Sequence, residues 1–224
     1  MSASVDLVGG GTADLRDEVH HAPVLERDLI YRGHVWNLVS DVIDLGEGGR
    51  VRRDVVDHPG AVAIVALDEQ DRMLVIQQYR HPAQRKLWEI PAGLMDHPGE
   101  DPLAAARREL MEEADVSADM WHVLVDMYTS PGGSTEPIRV FLARGLSEVP
   151  VADRYQRGEE ELGMARGWVG LADAAAAILR GDIHNPSITV GVLAAVASRA
   201  GGWASLRPAD APWPEQIRTR LVAG

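Results

Sequence analysis

The chain of 224 residues contains no cysteine. It therefore has no disulfide framework, no thiolate metal site and no cysteine nucleophile, which is consistent with the cytoplasmic location that we expect. No uninterrupted apolar run reaches the roughly 18 residues that a membrane-spanning helix needs, so we predict no membrane partner. The first stretch, "MSASVDLVGGGTADLRDE", lacks the basic end and the apolar run of a signal peptide.

Positive charge is also scarce, because 22 Lys and Arg face 34 Asp and Glu and the formal net charge is -12 at pH 7. A field of this sign repels nucleic acid, so the sequence predicts no nucleic-acid partner. It also repels phosphorylated metabolites unless cations in the site offset the charge. Apolar residues make up 46% of the chain, which is normal for a globular protein and permits a sizeable core.

The order of polar and apolar segments predicts an α+β fold. Residues 1–57 contain a polar, Gly-rich arm and three short alternating runs, which predict a small antiparallel β domain. Residues 58–205 mix strands and helices without strict alternation, which favours a mixed sheet with helices packed on it over a doubly wound parallel sheet. Residues 206–224 form a tail with no clear period.

Individual elements of the central domain can be predicted from periodicity and from helix signals. Asp101 and Asn185 are N-cap candidates, and each precedes a proline at the first helical position. The predicted strands lie at 60–67, 73–80, 121–128, 138–146 and 166–171, and the predicted helices at 102–114, 172–180 and 186–199.

The stretch "RRELMEEADV" places Glu109, Glu112 and Glu113 within about one turn near the end of a predicted helix. Like charges at this spacing repel, and anions near a helix C-terminus oppose the macrodipole. Carboxylate oxygens suit Mg²⁺ or Mn²⁺, and such an ion would turn the repulsion into attraction. The alternative is a solvated acidic face with an ordinary Arg108–Glu112 pair, which the three glutamates alone favour.

The surrounding sequence reverses that balance, because "GLMDHPGEDPLAAARRELMEEADV" resembles the Nudix box of the Nudix hydrolases. The family pattern is Gly, five residues, Glu, seven residues, then Arg-Glu-apolar-any-Glu-Glu-any-Gly-apolar. Here Gly93 opens the motif, Glu100 is its first glutamate and Arg108 begins its last block. Six residues instead of five separate Gly93 from Glu100, and Asp115 replaces the closing glycine. Asp tolerates the left-handed conformation of a helix end better than most residues.

Sequence on both sides of the box is similar to the ADP-ribose pyrophosphatase branch, over roughly residues 24–200. The similar stretches are "RRDVVDHPGAVAIVAL", "QQYRHPAQRKLWEIPAGLMD", "MYTSPGGSTEPIRVFLARGL" and "EEELGMARGWVGL". The resemblance implies an α/β/α Nudix sandwich and a small N-terminal sheet domain that swaps across a homodimer. It also implies a nucleoside diphosphate substrate, namely ADP-ribose hydrolysed to AMP and ribose 5-phosphate with Mg²⁺, for which Mn²⁺ can substitute.

The resemblance assigns the metal site to residues of the box. It implies that Glu109 and Glu113 bind the metal, that Glu112 assists and that the carbonyl of Ala92 contributes. Arg108 would orient a glutamate, a role that is compatible with an ordinary helix salt bridge.

The general base is expected in the later loop "RYQRGEEELGMARGW". Glu159, Glu160 and Glu161 are the candidates, and counting back from Trp168 favours Glu161. The alternative is an acidic, Gly-containing loop that is simply solvated.

Substrate contacts are implied for Arg53 and Arg80, whose guanidinium forks suit phosphate oxygens, and for Glu136, which is expected to act across the dimer. Tyr31 or Trp36 could stack on adenine, although an aromatic residue in a small sheet is more often part of a core.

Two other functions fit the same residues. One is hydrolysis of another nucleotide sugar, such as GDP-mannose or a UDP-sugar, because the box handles only the pyrophosphate. The other is a non-hydrolysing Nudix module that senses a ligand, against which the intact Glu109, Glu112 and Glu113 argue. Titration of the ligand with and without Mg²⁺ would separate an enzyme from a sensor.

Overall fold

The computed structural model describes residues 16–97, 99–156 and 164–216, in which eleven strands and three α-helices are assigned. The strands are β1 (Val24–Arg32), β2 (Asn37–Asp44), β3 (Arg50–Asp57), β4 (Ala61–Ala66), β5 (Arg72–Arg80), β6 (Arg85–Glu89), β7 (Ala92–Leu94), β8 (Val116–Tyr128), β9 (Pro137–Glu148), β10 (Ala165–Gly170) and β11 (Arg207–Pro208). The helices are α1 (Pro102–Ala114), α2 (Leu171–Leu179) and α3 (Pro186–Ala200).

The first three strands form a small antiparallel sheet in the order β1-β2-β3, as the sequence predicts. The guanidinium of Arg27 on β1 forms a bidentate salt bridge with the carboxylate of Asp41 on β2, with Nε–Oδ1 and Nη2–Oδ2 distances of 2.7 and 2.7 Å. The end of β3 joins the rest of the molecule, because the amide of Val56 donates to the carbonyl of Gly133 and the amide of Thr135 donates to the carbonyl of Val56. All nine residues of β1 are exposed in the single chain.

The central sheet has the order β11-β8-β9-β4-β7, and it is mixed because β4 and β9 are parallel whereas the other pairs are antiparallel. A second sheet has the order β10-β5-β6. Side chains of β4 alternate between two cores, with Ala63 and Val65 in the cluster of α2 and α3, and Val62 and Ile64 in the cluster of α1. The continuous apolar run of β4 therefore reflects cover on both faces.

The capping signals of α1 and α3 are confirmed. The side chain of Asp101 accepts hydrogen bonds from the amides of Leu103 and Ala104, and Asn185 caps α3 in the same way. Helix α1 ends at Asp115, which adopts the left-handed conformation with φ of 55°. Both helices therefore begin at the residues that the sequence predicts. Helix α1 also ends at its predicted last residue, Ala114.

Three short strands were not predicted from the sequence. Strands β6 and β7 lie in the segment before the box, and β7 pairs with β4 through Ala92, Gly93 and Leu94. Strand β11 pairs with β8 and begins the C-terminal strap, residues 207–216, which crosses the α1 face of the sheet. No helix in the described ranges is long and apolar enough to span a bilayer.

The strap is held by Arg139 of β9, whose side chain is 2% exposed. Its guanidinium donates to the carbonyl oxygens of Ala211 and Pro212 at 2.6 and 2.9 Å. It also forks onto Asp126 of β8, and its Cζ lies 5.0 Å from the centre of the Trp213 ring. A buried cation thus joins the last described segment to the middle of the sheet.

Candidate active site

Arg108 of α1 is the centre of a carboxylate cluster. Its Nε and Nη2 donate to the two carboxylate oxygens of Glu100 at 3.0 and 3.1 Å. Its Nη1 donates to Oε2 of Glu112 at 3.1 Å and also bonds Oε1 of Glu109. The predicted i,i+4 pair between Arg108 and Glu112 is therefore present, but it is one part of a network that joins three glutamates.

Strand β7 faces this cluster and positions two of its carboxylates. A Cβ on Gly93 would lie 1.9 Å from Cδ of Glu109, so the carboxylate of Glu109 packs directly on the glycine backbone. One turn later along α1, Oε2 of Glu113 accepts a hydrogen bond from the amide of Ala92 at 2.9 Å. Glu113 is 7% exposed. Glu109 and Glu113 consequently meet neighbouring residues of the same strand.

The cluster changes the protonation of its members. Burial raises the pKa of Glu109 to about 7, against the opposing effect of the Arg108 charge. The hydrogen bond from Arg108 lowers the pKa of Glu100. The same hydrogen bond raises the pKa of the Arg108 guanidinium, which stays charged. The cluster is thus partly buried, and the Arg108 guanidinium balances part of its negative charge.

The donor set fits a hard divalent cation, because Glu109, Glu112 and Glu113 offer only carboxylate oxygens and Ala92 adds a carbonyl on β7. Across the described ranges, no group of three or more acidic or histidine side chains already has the spacing of a formed metal site. Arg108 instead bonds two of these carboxylates. The missing side chain of Gly93 provides the space in which Glu109 reaches the strand.

Arg80, a predicted substrate contact, lies at the end of β5 and forms a bidentate salt bridge with Glu89 of β6. The Nε–Oε1 and Nη2–Oε2 distances are 2.9 and 2.6 Å, and the Glu89 side chain is 3% exposed. Sequence reasoning missed Glu89, although it is the one acidic residue in the otherwise apolar run "LWEIPAGL". A lone charge in such a run is the signal that could have identified it.

The remaining substrate candidates lie near the small sheet. Arg53 stands exposed on β3, where its Nη1 donates to the carbonyl of Arg52 at 3.0 Å. Glu136 accepts a hydrogen bond from Oγ1 of Thr129 at 2.6 Å, and its other oxygen lies 3.6 Å from Nε2 of His58. The structure therefore places Glu136 in the loop that contacts β3.

Tyr31 and Trp36 are exposed in the single chain, so the expectation that such aromatic residues belong to a core is wrong for this sheet on its own. Their ring centroids are 6.4 Å apart. The base candidates Glu159, Glu160 and Glu161 lie outside the described residues.

The fold and the glutamate-bearing helix define a class of hydrolase, and a family model described as the NUDIX domain matches residues 57–189. The chain belongs to this family. It is 44% identical over 194 residues to an ADP-ribose pyrophosphatase of Mycobacterium tuberculosis, a match that covers 87% of this chain and 92% of the relative. An ADP-ribose pyrophosphatase of Bacillus subtilis is 37% identical over 123 residues, with coverage of 55% and 66%.

A solved structure described as an ADP compounds hydrolase has a TM-score of 0.67 to this chain, at 18% identity, over 84% of this chain and 99% of the other. This likeness supports the fold. The predicted α+β class and the assignment to the Nudix hydrolases are therefore confirmed. Nudix hydrolases generally depend on a divalent metal, which agrees with the oxygen donors on α1.

Proposed function

We propose that this Nudix hydrolase cleaves the pyrophosphate bond of ADP-ribose with Mg²⁺ and gives AMP and ribose 5-phosphate, and that Mn²⁺ can substitute. Identity of 44% across 92% of an ADP-ribose pyrophosphatase supports the substrate. The structural observation that carries the proposal is the carboxylate cluster on α1, because Glu109 and Glu113 reach β7 beside Gly93.

In this proposal Glu109 and Glu113 would hold the metal, with help from Glu112 and the carbonyl of Ala92. A bound divalent ion neutralises phosphate charge and lowers the pKa of a bound water. Arg108 orients the carboxylates, since its guanidinium bonds Glu109 and Glu112 directly. Its remaining nitrogens hold Glu100 and so fix the direction of the guanidinium plane.

The chemical step is attack of water on one phosphorus of the pyrophosphate. The new P–O bond forms as the bond from that phosphorus to the bridging oxygen breaks, and the bridging oxygen leaves on the second monophosphate. A carboxylate takes the proton of the water, and Glu161 is our first candidate, followed by Glu160. Both belong to the part of the chain that the structure leaves undescribed.

Substrate binding is assigned to Arg53, Arg80 and Glu136. The Arg80 side chain is 43% exposed while Glu89 holds its orientation, which suits a side chain that must bind phosphate oxygens. Arg53 is available to solvent on β3. Its cationic charge would offset part of the net negative field that opposes an anionic substrate.

We also propose a homodimer formed through the N-terminal sheet. Ile30 and Tyr31 of β1 are 57% and 56% exposed, and Trp36 is 42% exposed. Removal of apolar surface from water is favourable by about 25 cal/mol per Å² before the entropic costs of association are met, and an exposed apolar face of this kind is typical of an interface. A cytoplasmic location and the absence of a nucleic-acid or membrane partner stay predictions from the sequence.

Product analysis tests the proposed reaction. Purified protein is incubated with Mg²⁺ and, separately, with ADP-ribose, GDP-mannose, a UDP-sugar and a dinucleoside polyphosphate. We expect AMP and ribose 5-phosphate to form fastest from ADP-ribose. Faster cleavage of another substrate would refute the substrate and leave the hydrolase class intact. Tight Mg²⁺-dependent binding without turnover, with Mn²⁺ also inactive, would favour a ligand sensor.

A further inference from the structure

Asp115 occupies the position where the family pattern has glycine, directly after α1. Its left-handed backbone, with φ of 55°, costs an L-residue about 1 kcal/mol that a glycine would avoid. Its amide donates to the carbonyls of Leu110 and Met111, which ends the helix as a glycine would. The exchange therefore brings a carboxylate to a position where backbone geometry alone favours no side chain.

That carboxylate is buried and bonded to a residue of β10. Oδ2 of Asp115 lies 2.6 Å from Nη1 of Arg166, and the Asp115 side chain is 5% exposed. The same Nη1 donates to the carbonyl of Ala114 at 2.8 Å. Arg166 thus binds both the side chain that ends α1 and a terminal carbonyl of that helix, where a cation is favoured by the macrodipole.

The backbone of Asp115 reaches a third element. Its carbonyl accepts a hydrogen bond at 2.8 Å from the amide of Val149, the first residue after β9. Arg166 is the second residue of β10. Asp115 is therefore bonded to both ends of the chain segment that connects β9 to β10. Nε of Arg154 donates to the carbonyl of Val149 at 3.0 Å and strengthens the first of these ends.

The two parts that meet at Asp115 carry different roles in the proposed reaction. The final turns of α1 hold Glu109, Glu112 and Glu113, which we assign to the metal. The β9–β10 connection belongs to the part of the chain in which Glu160 and Glu161 are the base candidates. Both groups must act on one phosphorus, so their relative position decides the rate of the chemical step.

We propose that Asp115 and Arg166 are positioning residues, which fix the metal-binding end of α1 to both ends of the β9–β10 connection. The inference rests on the proposed hydrolase function and adds a structural reason for the departure from glycine. Arg166 bonds the Asp115 carboxylate and the Ala114 carbonyl, neither of which we assign to the metal, so loss of this link should affect turnover more than binding of metal or substrate.

The chain offers a matched control in Asp71, in the turn between β4 and β5. Asp71 is also left-handed, with φ of 56°, and its carboxylate also pairs with an arginine, Arg199 of α3. Arg199 lies on the face opposite α1. Asp71→Gly therefore repeats the change in backbone, charge and ion pairing without touching the β9–β10 connection.

The test compares Asp115→Gly, Arg166→Met and Asp71→Gly with the wild-type protein. Wild-type turnover is measured first on ADP-ribose and GDP-mannose, and each variant is then assayed on the substrate that the wild type cleaves faster. A wrong choice of substrate in the proposed function is thus recognised before the variants are compared. Mn²⁺ affinity is measured by titration, and amide exchange is followed at residues 145–156.

We expect Asp115→Gly and Arg166→Met to lower kcat by about tenfold or more, while KM and the Kd for Mn²⁺ change by less than about twofold. The double variant should be no slower than the worse single variant, because both remove one link. The rate of amide hydrogen exchange at Val149 should increase in both single variants and stay unchanged in Asp71→Gly. Unchanged kcat, or equal losses in Asp71→Gly, would overturn the proposal.

Discussion

Gly93 illustrates how the absence of a side chain positions a functional group. The carboxylate of Glu109 occupies the space that a Cβ on Gly93 would fill. Sequence comparison with the box marks this glycine, but it does not reveal which side chain needs the space. Only the pairing of β7 with β4, which brings β7 beside α1, supplies that information.

Gly93→Ala should therefore displace Glu109 and lower turnover by about tenfold or more, because a carboxylate moved by about 1 Å would no longer reach the metal ion that we propose. The rate of hydrolysis and the metal affinity are the measurements. Gly167→Ala is the matched control, since a Cβ there meets its nearest neighbour at 3.9 Å without a positive φ. Equal effects of the two substitutions would contradict this assignment.

Glu113→Gln tests the metal assignment at the buried end of the cluster. The amide can still meet the backbone of Ala92, but the negative charge is lost, so we expect turnover to fall by at least about a hundredfold with the fold retained. Circular dichroism and initial rates are the measurements. Glu69→Gln, in an exposed turn, should leave both unchanged. Near-normal activity of Glu113→Gln would remove this residue from the metal site.

Helix α1 shows what sequence reasoning can achieve for one element. Its start at Asp101 and its end at Asp115 follow from local rules of capping and periodicity. Strands β6, β7 and β11 could not be predicted, because each is short and exists only through partners distant in the chain. The pairs Arg80–Glu89 and Asp115–Arg166 escape prediction for the same reason.

The Glu100–Arg108 pair gives α1 a pH-dependent anchor. Because the folded-state pKa of Glu100 lies below its ordinary value of 4.5, the pair stabilises the fold above that pH and is lost as the pH falls through the lowered pKa. Glu100→Gln should reduce the free energy of unfolding by about 1–2 kcal/mol at pH 7.

The difference between wild type and Glu100→Gln should shrink as the pH is lowered below about 4.5, because protonation removes the same charge from the wild type. Urea denaturation at several pH values provides the measurement. A difference that stays constant across this range would show that the lost interaction does not depend on the carboxylate charge.

At the scale of the whole molecule, the small N-terminal sheet is notable because large apolar side chains on it are exposed in the single chain. Its three strands were predicted, yet the exposure of Tyr31 and Trp36 was not, since local patterns cannot tell a core from an interface with another copy. The exposed face is the basis for the dimer that we propose.

Deletion of residues 1–57 should abolish dimerisation and ADP-ribose turnover together, because the sheet would supply both the interface and part of the substrate site. Light scattering after gel filtration and initial rates are the measurements. A less drastic variant is Ile30→Glu, with Leu179→Glu at the exposed end of α2 as its control. A truncated protein that stayed dimeric would refute the interface.

The contacts of Arg139 with the C-terminal strap predict that removal of the strap destabilises the fold. A chain that ends at residue 205 loses two carbonyl acceptors of buried Arg139, so its free energy of unfolding should fall by at least about 2 kcal/mol. A chain that ends at residue 216 keeps both acceptors and is the control. Equal stability of the two shortened proteins would show that the strap adds little to the fold.

The alternating side chains of β4 have a consequence for cooperativity. Successive residues of one strand enter the core beneath α1 and the core beneath α2 and α3, so both helical layers pack on the same strand. Loss of either helical layer would expose half of β4 to water. The Nudix domain should therefore melt in a single transition, without an intermediate that retains one layer.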